Sequence, residues 1–206
     1  MIRNIIFDIG GVLIDWNPRY FFDGYFHGDT RREEFFLKEI CNSEFNRWMD
    51  EGMLPEEARE KMTRLHPEWE REIRDYLVHW REQLGDEIPG MRAYLQSLKS
   101  GGYRLFGLTN WSTVTFREVR KEYGITDLLE GIVISSEVRL LKPGPEIFRL
   151  LLDRYGLRAG ECVFTDDHMK NVEGARAVGI QGILFKDQAQ LEKEINTLIH
   201  NSNESN

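Results

Sequence analysis

Residues 2–7, IRNIIF, are apolar at most positions and stop at Asp8, with Gly10 and Gly11 just beyond. The run is too short and too β-branched for a helix, so it predicts a buried strand ending in a tight loop. Similar runs recur at 103–108 (YRLFGL), 132–134 (IVI), 161–164 (ECVF) and 182–185 (GILF). Between them, amphipathic patterns predict helices at 91–99, 113–123, 146–155 and 172–178, the last two closed by Gly156 and Gly179. Strand and helix thus alternate over the chain start (1–15) and again over 86–200. That alternation predicts an α/β fold, a parallel sheet covered by helices on both faces.

Residues 16–85 interrupt the alternation with charged amphipathic patterns: RREEFFLKEI, SEFNRWMDEG, LPEEAREKMTRL and PEWEREIRDYLVHWREQL. Pro55 and Pro67 sit where first helical turns accept proline, and Gly52 and Gly85 where helices end. The segment is expected to be an all-helical insertion of about four helices. Ligands of open α/β sheets bind beyond the carboxyl ends of the strands, so an insertion directly after the first strand would form a lid. The final stretch 201–206, NSNESN, is polar and is expected to be frayed.

Composition narrows the classes. A chain of 206 residues with 41% hydrophobic content supports one substantial core with room for a small accessory domain. Its net charge of -8 argues against non-specific nucleic-acid binding. No apolar run approaches the roughly 18 residues of a membrane helix, and the start lacks signal-peptide features, so a soluble, cytoplasmic protein is expected. Cys41 and Cys162 are far apart and read as reduced thiols. Four of the five tryptophans fall between Trp16 and Trp80, a density that suits a small helical core better than a stacking pocket; Trp16 and Trp111 are the better pocket candidates. A monomer is expected, with a dimer through the insertion left open.

Four polar groups fall just past strand ends: Asp8, Thr109-Asn110, Lys142-Pro143 and Asp166-Asp167. Singly, each is ordinary cap or turn chemistry. Jointly they offer three carboxylates, one cation, and hydroxyl and amide donors for an oxyanion. Two unit charges 4 Å apart at an effective dielectric near 20 interact by about 4 kcal/mol, so a cation should sit among these acids. Oxygen-only ligands favour a hard ion such as Mg²⁺. The alternative is that Asp166 and Asp167 only cap the following helix.

These segments resemble the four motifs of the haloacid dehalogenase superfamily in their usual order: FDIGGVLID, LTN, LKPGPEIF and FTDDHMKNVEGARAVGI. The likeness spans nearly the whole chain apart from the insertion, which resembles that superfamily's helical C1 cap. It implies a Rossmann-like three-layer core with a mobile lid. It also implies that Asp8 is a nucleophile, that Thr109 and Asn110 bind phosphoryl oxygens, and that Lys142 neutralises their charge while orienting Asp8. Mg²⁺ would take Asp8, the carbonyl of Gly10 and Asp167, with Asp166 supporting directly or through water. Asn171 stands where many relatives have another acid.

Gly10 departs from the pattern. Phosphatases of the superfamily commonly carry a second Asp there, which delivers a proton to the leaving alcohol, and general acid catalysis is typically worth about 10²–10⁴-fold. A branch with an Asp-x-Gly start includes sugar-1-phosphate phosphatases, whose leaving oxygen is comparatively good. The resemblance therefore implies a Mg²⁺-dependent phosphatase of a small phosphorylated metabolite, a sugar phosphate being one candidate. Asp15 and His168 are candidate proton donors by position alone. Alternatives are a metal-free dehalogenase using Asp8 on carbon, which the Asp166-Asp167 pair disfavours, and a weakly catalytic phosphometabolite-binding protein.

Overall fold

The computed structural model describes residues 1–204, with side chains to residue 201. β1 (Asn4–Phe7) leads into the loop at 8–11, and a short β2 (Ile14–Trp16) comes next. Beyond it lie α1 (Arg19–Tyr25), α2 (Thr30–Phe35), a π-helical turn at Phe36–Ile40, α3 (Ser43–Asp50), α4 (Pro55–Leu65) and α5 (Glu70–Val78). β3 (Leu84–Glu87) pairs antiparallel with β2, so the two strands of chain joining the helices to the sheet lie side by side. The rest alternates: α6 (Met91–Ser100), β4 (Arg104–Thr109), α7 (Thr113–Glu122), β5 (Gly131–Ile134), α8 (Ser135–Val138), α9 (Pro145–Tyr155), β6 (Cys162–Asp166), α10 (Met169–Ala177), β7 (Gln181–Leu184) and α11 (Gln188–Glu204).

The five long-range strands form one parallel sheet in the order β5-β4-β1-β6-β7. All five correspond to the apolar runs. In this register Phe7 lies opposite both Gly107 and Thr165, so the chain leaves β1, β4 and β6 on one edge of the sheet. Successive strand side chains point to opposite faces. Ile5, Phe7, Leu105 and Val163 pack with Leu95, Leu98, Phe116 and Ile195 in one layer. Ile6, Phe106 and Phe164 pack with Ile147, Phe148, Leu151 and Ala175 in the other. The result is the expected three-layer α/β arrangement.

Residues 19–78 bury a separate apolar cluster that includes Phe22, Phe36, Phe45, Ile73 and Tyr76. Its rings meet at aromatic packing distances, 5.1 Å for Phe22 with Phe36 and 5.8 Å for Phe45 with Tyr76. Most of the aromatic density is thus core, whereas Trp16 and Tyr20 stand exposed. At the chain end, α11 extends to Glu204, into the 201–206 stretch expected to be frayed, because a helix already formed gains one hydrogen bond for each residue it adds. Residues 205–206 of that stretch lie outside the described residues. Among the described residues no helix is long and apolar enough to cross a membrane.

Candidate active site

Asp8 sits directly after the last residue of β1, and its N–H donates to the Thr165 carbonyl at 2.9 Å, extending the pairing with β6 by one step. Asp8 Oδ1 accepts the Ile9 N–H at 2.7 Å. The same oxygen lies 2.8 Å from Lys142 Nζ, and Lys142 Nζ donates to Asp166 Oδ2 at 2.7 Å. All three side chains are buried. One ammonium therefore bridges acids delivered by two neighbouring strands.

Lys142 is held in place through its backbone. Its N–H donates to Asn110 Oδ1 at 2.9 Å, and its carbonyl accepts Asn110 Nδ2 at 3.0 Å. The Asn110 side chain thus clamps the lysine backbone through Oδ1 and one of its two Nδ2 hydrogens, a use that its pairing with Thr109 as an oxyanion donor did not foresee. Thr109 closes β4 on the same sheet edge and is buried. From the other side α10 presses on the turn after Lys142: a Cβ on Gly174 would lie 2.5 Å from the Pro143 carbonyl and 3.0 Å from the Phe148 ring. This contact is a physical reason for the glycine in NVEGARAVG. Gly174→Ala should cost about 1–3 kcal/mol by overpacking and should lower the thermal midpoint; an unchanged midpoint would mean that α10 slides freely over the turn.

Asp166 is fully satisfied. Oδ1 accepts the His168 N–H at 2.8 Å, and Asn171 Nδ2 reaches both oxygens at 3.0 Å. Burial alone would raise its carboxyl, but Lys142, His168 and Asn171 together hold it below the usual carboxylate range. Asp167, in contrast, is exposed: a Cβ on Gly11, which has φ +75°, would meet its Oδ2 at 2.5 Å. Its Oδ1 pairs with His168 Nδ1 at 2.7 Å, which raises the imidazole pKa. Asp8 fares worst: burial pushes its carboxyl up to about 7, Asp166 and Asp167 add to the shift, and Lys142 opposes it. With three acids against one buried ammonium, the donor set has the composition that a hard divalent cation would complete.

Gly10 has a neighbour that explains its lack of a side chain. A Cβ there would lie 3.3 Å from Trp111 Cζ3, so the indole covers the position a second acid would occupy. Trp111 is fixed in turn: its N–H donates to Ser135 Oγ at 3.0 Å and its Nε1 to Thr115 Oγ1 at 3.0 Å. Asp15 accepts the Tyr20 hydroxyl beside the β2–β3 pair. One acid went unnoticed in the sequence. Asp50 ends α3, its carbonyl accepts the Ser135 hydroxyl at 2.7 Å, and Lys142 acts on its carboxyl electrostatically.

Similarity to known proteins identifies the family and the fold. A haloacid dehalogenase-like hydrolase profile matches residues 2–179. Sesquiterpene phosphatase astK of Aspergillus oryzae is 29% identical over 196 residues, covering 94% of this chain and 95% of that protein. A phosphorylated carbohydrates phosphatase of Thermotoga maritima is 28% identical over 190 residues, covering 87% and 82%. The solved structure of HAD family enzyme bt-2542 from Bacteroides thetaiotaomicron, in complex with magnesium and inorganic phosphate, matches with a TM-score of 0.69 at 25% identity, covering 91% of this chain and 96% of that one. With the match spanning Asp8, the Asp166-Asp167 pair and the Lys142 that bridges Asp8 to Asp166, the chain belongs to the haloacid dehalogenase-like hydrolase family.

Proposed function

We propose that the protein is a Mg²⁺-dependent phosphomonoesterase acting on a small phosphorylated metabolite through an aspartyl-phosphate on Asp8. The observation that carries this reading is the Lys142 bridge between Asp8 and Asp166, with Asp167 lying against the turn at Gly11. A buried carboxylate facing an anionic substrate needs more positive charge than one lysine supplies. Asp8, the Gly10 carbonyl and Asp167 would hold magnesium, with Asp166 positioning Lys142; when bound, the ion supplies charge neutralisation at the phosphoryl group. Both relatives described above are named as phosphatases, one of a sesquiterpene and one of phosphorylated carbohydrates, and a structural neighbour was solved in complex with magnesium and inorganic phosphate.

In this chemistry an Asp8 oxygen attacks phosphorus and the ester P–O bond breaks, leaving an alkoxide that must take a proton. Lys142 stabilises charge on the phosphoryl oxygens while holding Asp8 in line, and Thr109 lies on the sheet edge where those oxygens would sit. Asn110 contributes by fixing Lys142. Water then cleaves the acyl phosphate and restores the Asp8 carboxylate. Residues 16–85 act as the cap over this edge, joined to the core 1–15 and 86–200 through β2 and β3.

Incubating the protein with phosphate esters in Mg²⁺ or in EDTA tests the reading. Turnover should fall by about 10²-fold or more when the ion is removed, as expected if it supplies several kcal/mol of charge stabilisation. Halide release from a 2-haloacid that persists in EDTA, with no ester hydrolysis, would instead establish attack on carbon.

A further inference from the structure

With glycine at position 10 under the Trp111 ring, the proton for the leaving oxygen must come from another element. We propose that Asp50, at the C-terminal end of α3, is the general acid for ester cleavage and the general base for the water that hydrolyses the Asp8 acyl phosphate. The inference rests on the phosphatase reading and adds a residue to it. As the P–O bond breaks, the Asp50 proton passes to the departing oxygen. The resulting carboxylate takes a proton from the attacking water, so acid and base regenerate each other over one cycle.

Three observations support Asp50. Its place is fixed by a relay of backbone and hydroxyl contacts: the Asp50 carbonyl accepts the Ser135 hydroxyl at 2.7 Å, Ser135 Oγ accepts the Trp111 N–H at 3.0 Å, and the Trp111 ring covers Gly10. The end of α3 is thereby tied to the place the missing acid would have filled. Its carboxyl is half-buried and, among the described residues, has no hydrogen-bond or ion-pair partner. Yet it is not among the sealed unpartnered atoms, so its oxygens remain open to a ligand. The cation acting on it is Lys142, whose ammonium is 2.8 Å from Asp8.

The surrounding charges fit the task. Glu51 is next to Asp50 in the chain, Tyr76 approaches from α5, Lys142 from the core, and Arg139 packs beside Gly52. Burial pushes the Asp50 carboxyl up to about 7, Glu51 adds to the rise, and Lys142 opposes it. A carboxyl so placed can both give and accept a proton near neutrality. The competing groups each already have a side-chain partner, His168 in Asp167 and Asp15 in Tyr20.

The test compares kcat/KM of the wild type and Asp50→Asn, in Mg²⁺, on p-nitrophenyl phosphate and on a simple alkyl phosphate. The acidic phenol leaves with little help, so its loss should be within about threefold, whereas the alkyl ester should lose about 10²–10⁴-fold. Since the acid must carry its proton, wild-type kcat/KM for the alkyl ester should fall as pH rises through about 7, and Asp50→Asn should lack that limb. Equal losses on both esters, or an unchanged limb, would overturn the assignment. Should Asp50→Asn fold poorly by circular dichroism, Asp50→Ser provides the same comparison. If the wild type fails on p-nitrophenyl phosphate itself, the phosphatase reading falls; if it succeeds and Asp50→Asn keeps the same leaving-group dependence, only Asp50 falls.

Discussion

Lys142→Met is expected to lower the thermal midpoint by about 6–20 °C, the effect of losing roughly 3–5 kcal/mol from a chain of this size. Methionine keeps an unbranched chain of similar bulk and removes only the charge. The variant is left with a pair of buried carboxylates: Asp8 keeps the Ile9 N–H, and Asp166 keeps His168 and Asn171, but neither has an ion partner in the core. Removing one partner of a buried pair costs more than the pair ever contributed, because the other charge is left desolvated. The deficit should shrink as pH falls, since the stranded carboxyls can then take protons. Adding Asp166→Asn to Lys142→Met removes one stranded charge, so the double variant should be more stable than the sum of the single losses by about 1–3 kcal/mol. Strict additivity in denaturant unfolding would mean that Lys142 and Asp166 do not act as a unit.

Much of this arrangement was legible in the chain because the sheet is built from apolar runs and its edge from the polar residues just past them. The five parallel strands are each a short β-branched or aromatic run, and Asp8, Thr109 and the paired acids fall at the ends of β1, β4 and β6, whereas Lys142 does not directly follow β5 but returns to the sheet edge beyond α8. The β2–β3 pair escaped notice because IDW and LGDE have neither the length nor the alternation of a strand; their pairing comes from the need to close the insertion at its base. The Asn110 clamp was hidden for a different reason. An amide after a strand looks like a ligand donor, and only the tertiary fold brings the Lys142 backbone, 32 residues on, within its reach. Asp50 stands beside Glu51 just before Gly52, where the local pattern marks only a helix end. Its approach to Lys142 depends on how the helices dock on the sheet, which no local pattern encodes. Gly10 and Gly174 became intelligible only once Trp111 and Pro143 were seen against them.

Asp8→Asn should separate chemistry from stability in the direction opposite to Lys142→Met. The substitution is nearly isosteric, and its amide oxygen can still accept the Ile9 N–H, while Lys142 keeps Asp166 as its partner. One buried negative charge is gone from a cluster in which burial, Asp166 and Asp167 all resist the ionisation of Asp8. The variant should therefore unfold no earlier than the wild type at neutral pH. Its activity should nevertheless fall by about 10⁴-fold or more, the scale of losing a nucleophile whose partners act only through it. Acid quenching during turnover should trap one phosphoryl group on the wild-type peptide containing Asp8 and none on the variant. Residual hydrolysis above about one part in 10² would mean that water attacks phosphorus directly, with Asp8 only shaping the charge around it. In that event Lys142 would still be needed and the trapped phosphopeptide would be absent from both proteins, so mass spectrometry of the quenched wild type decides between covalent and direct attack.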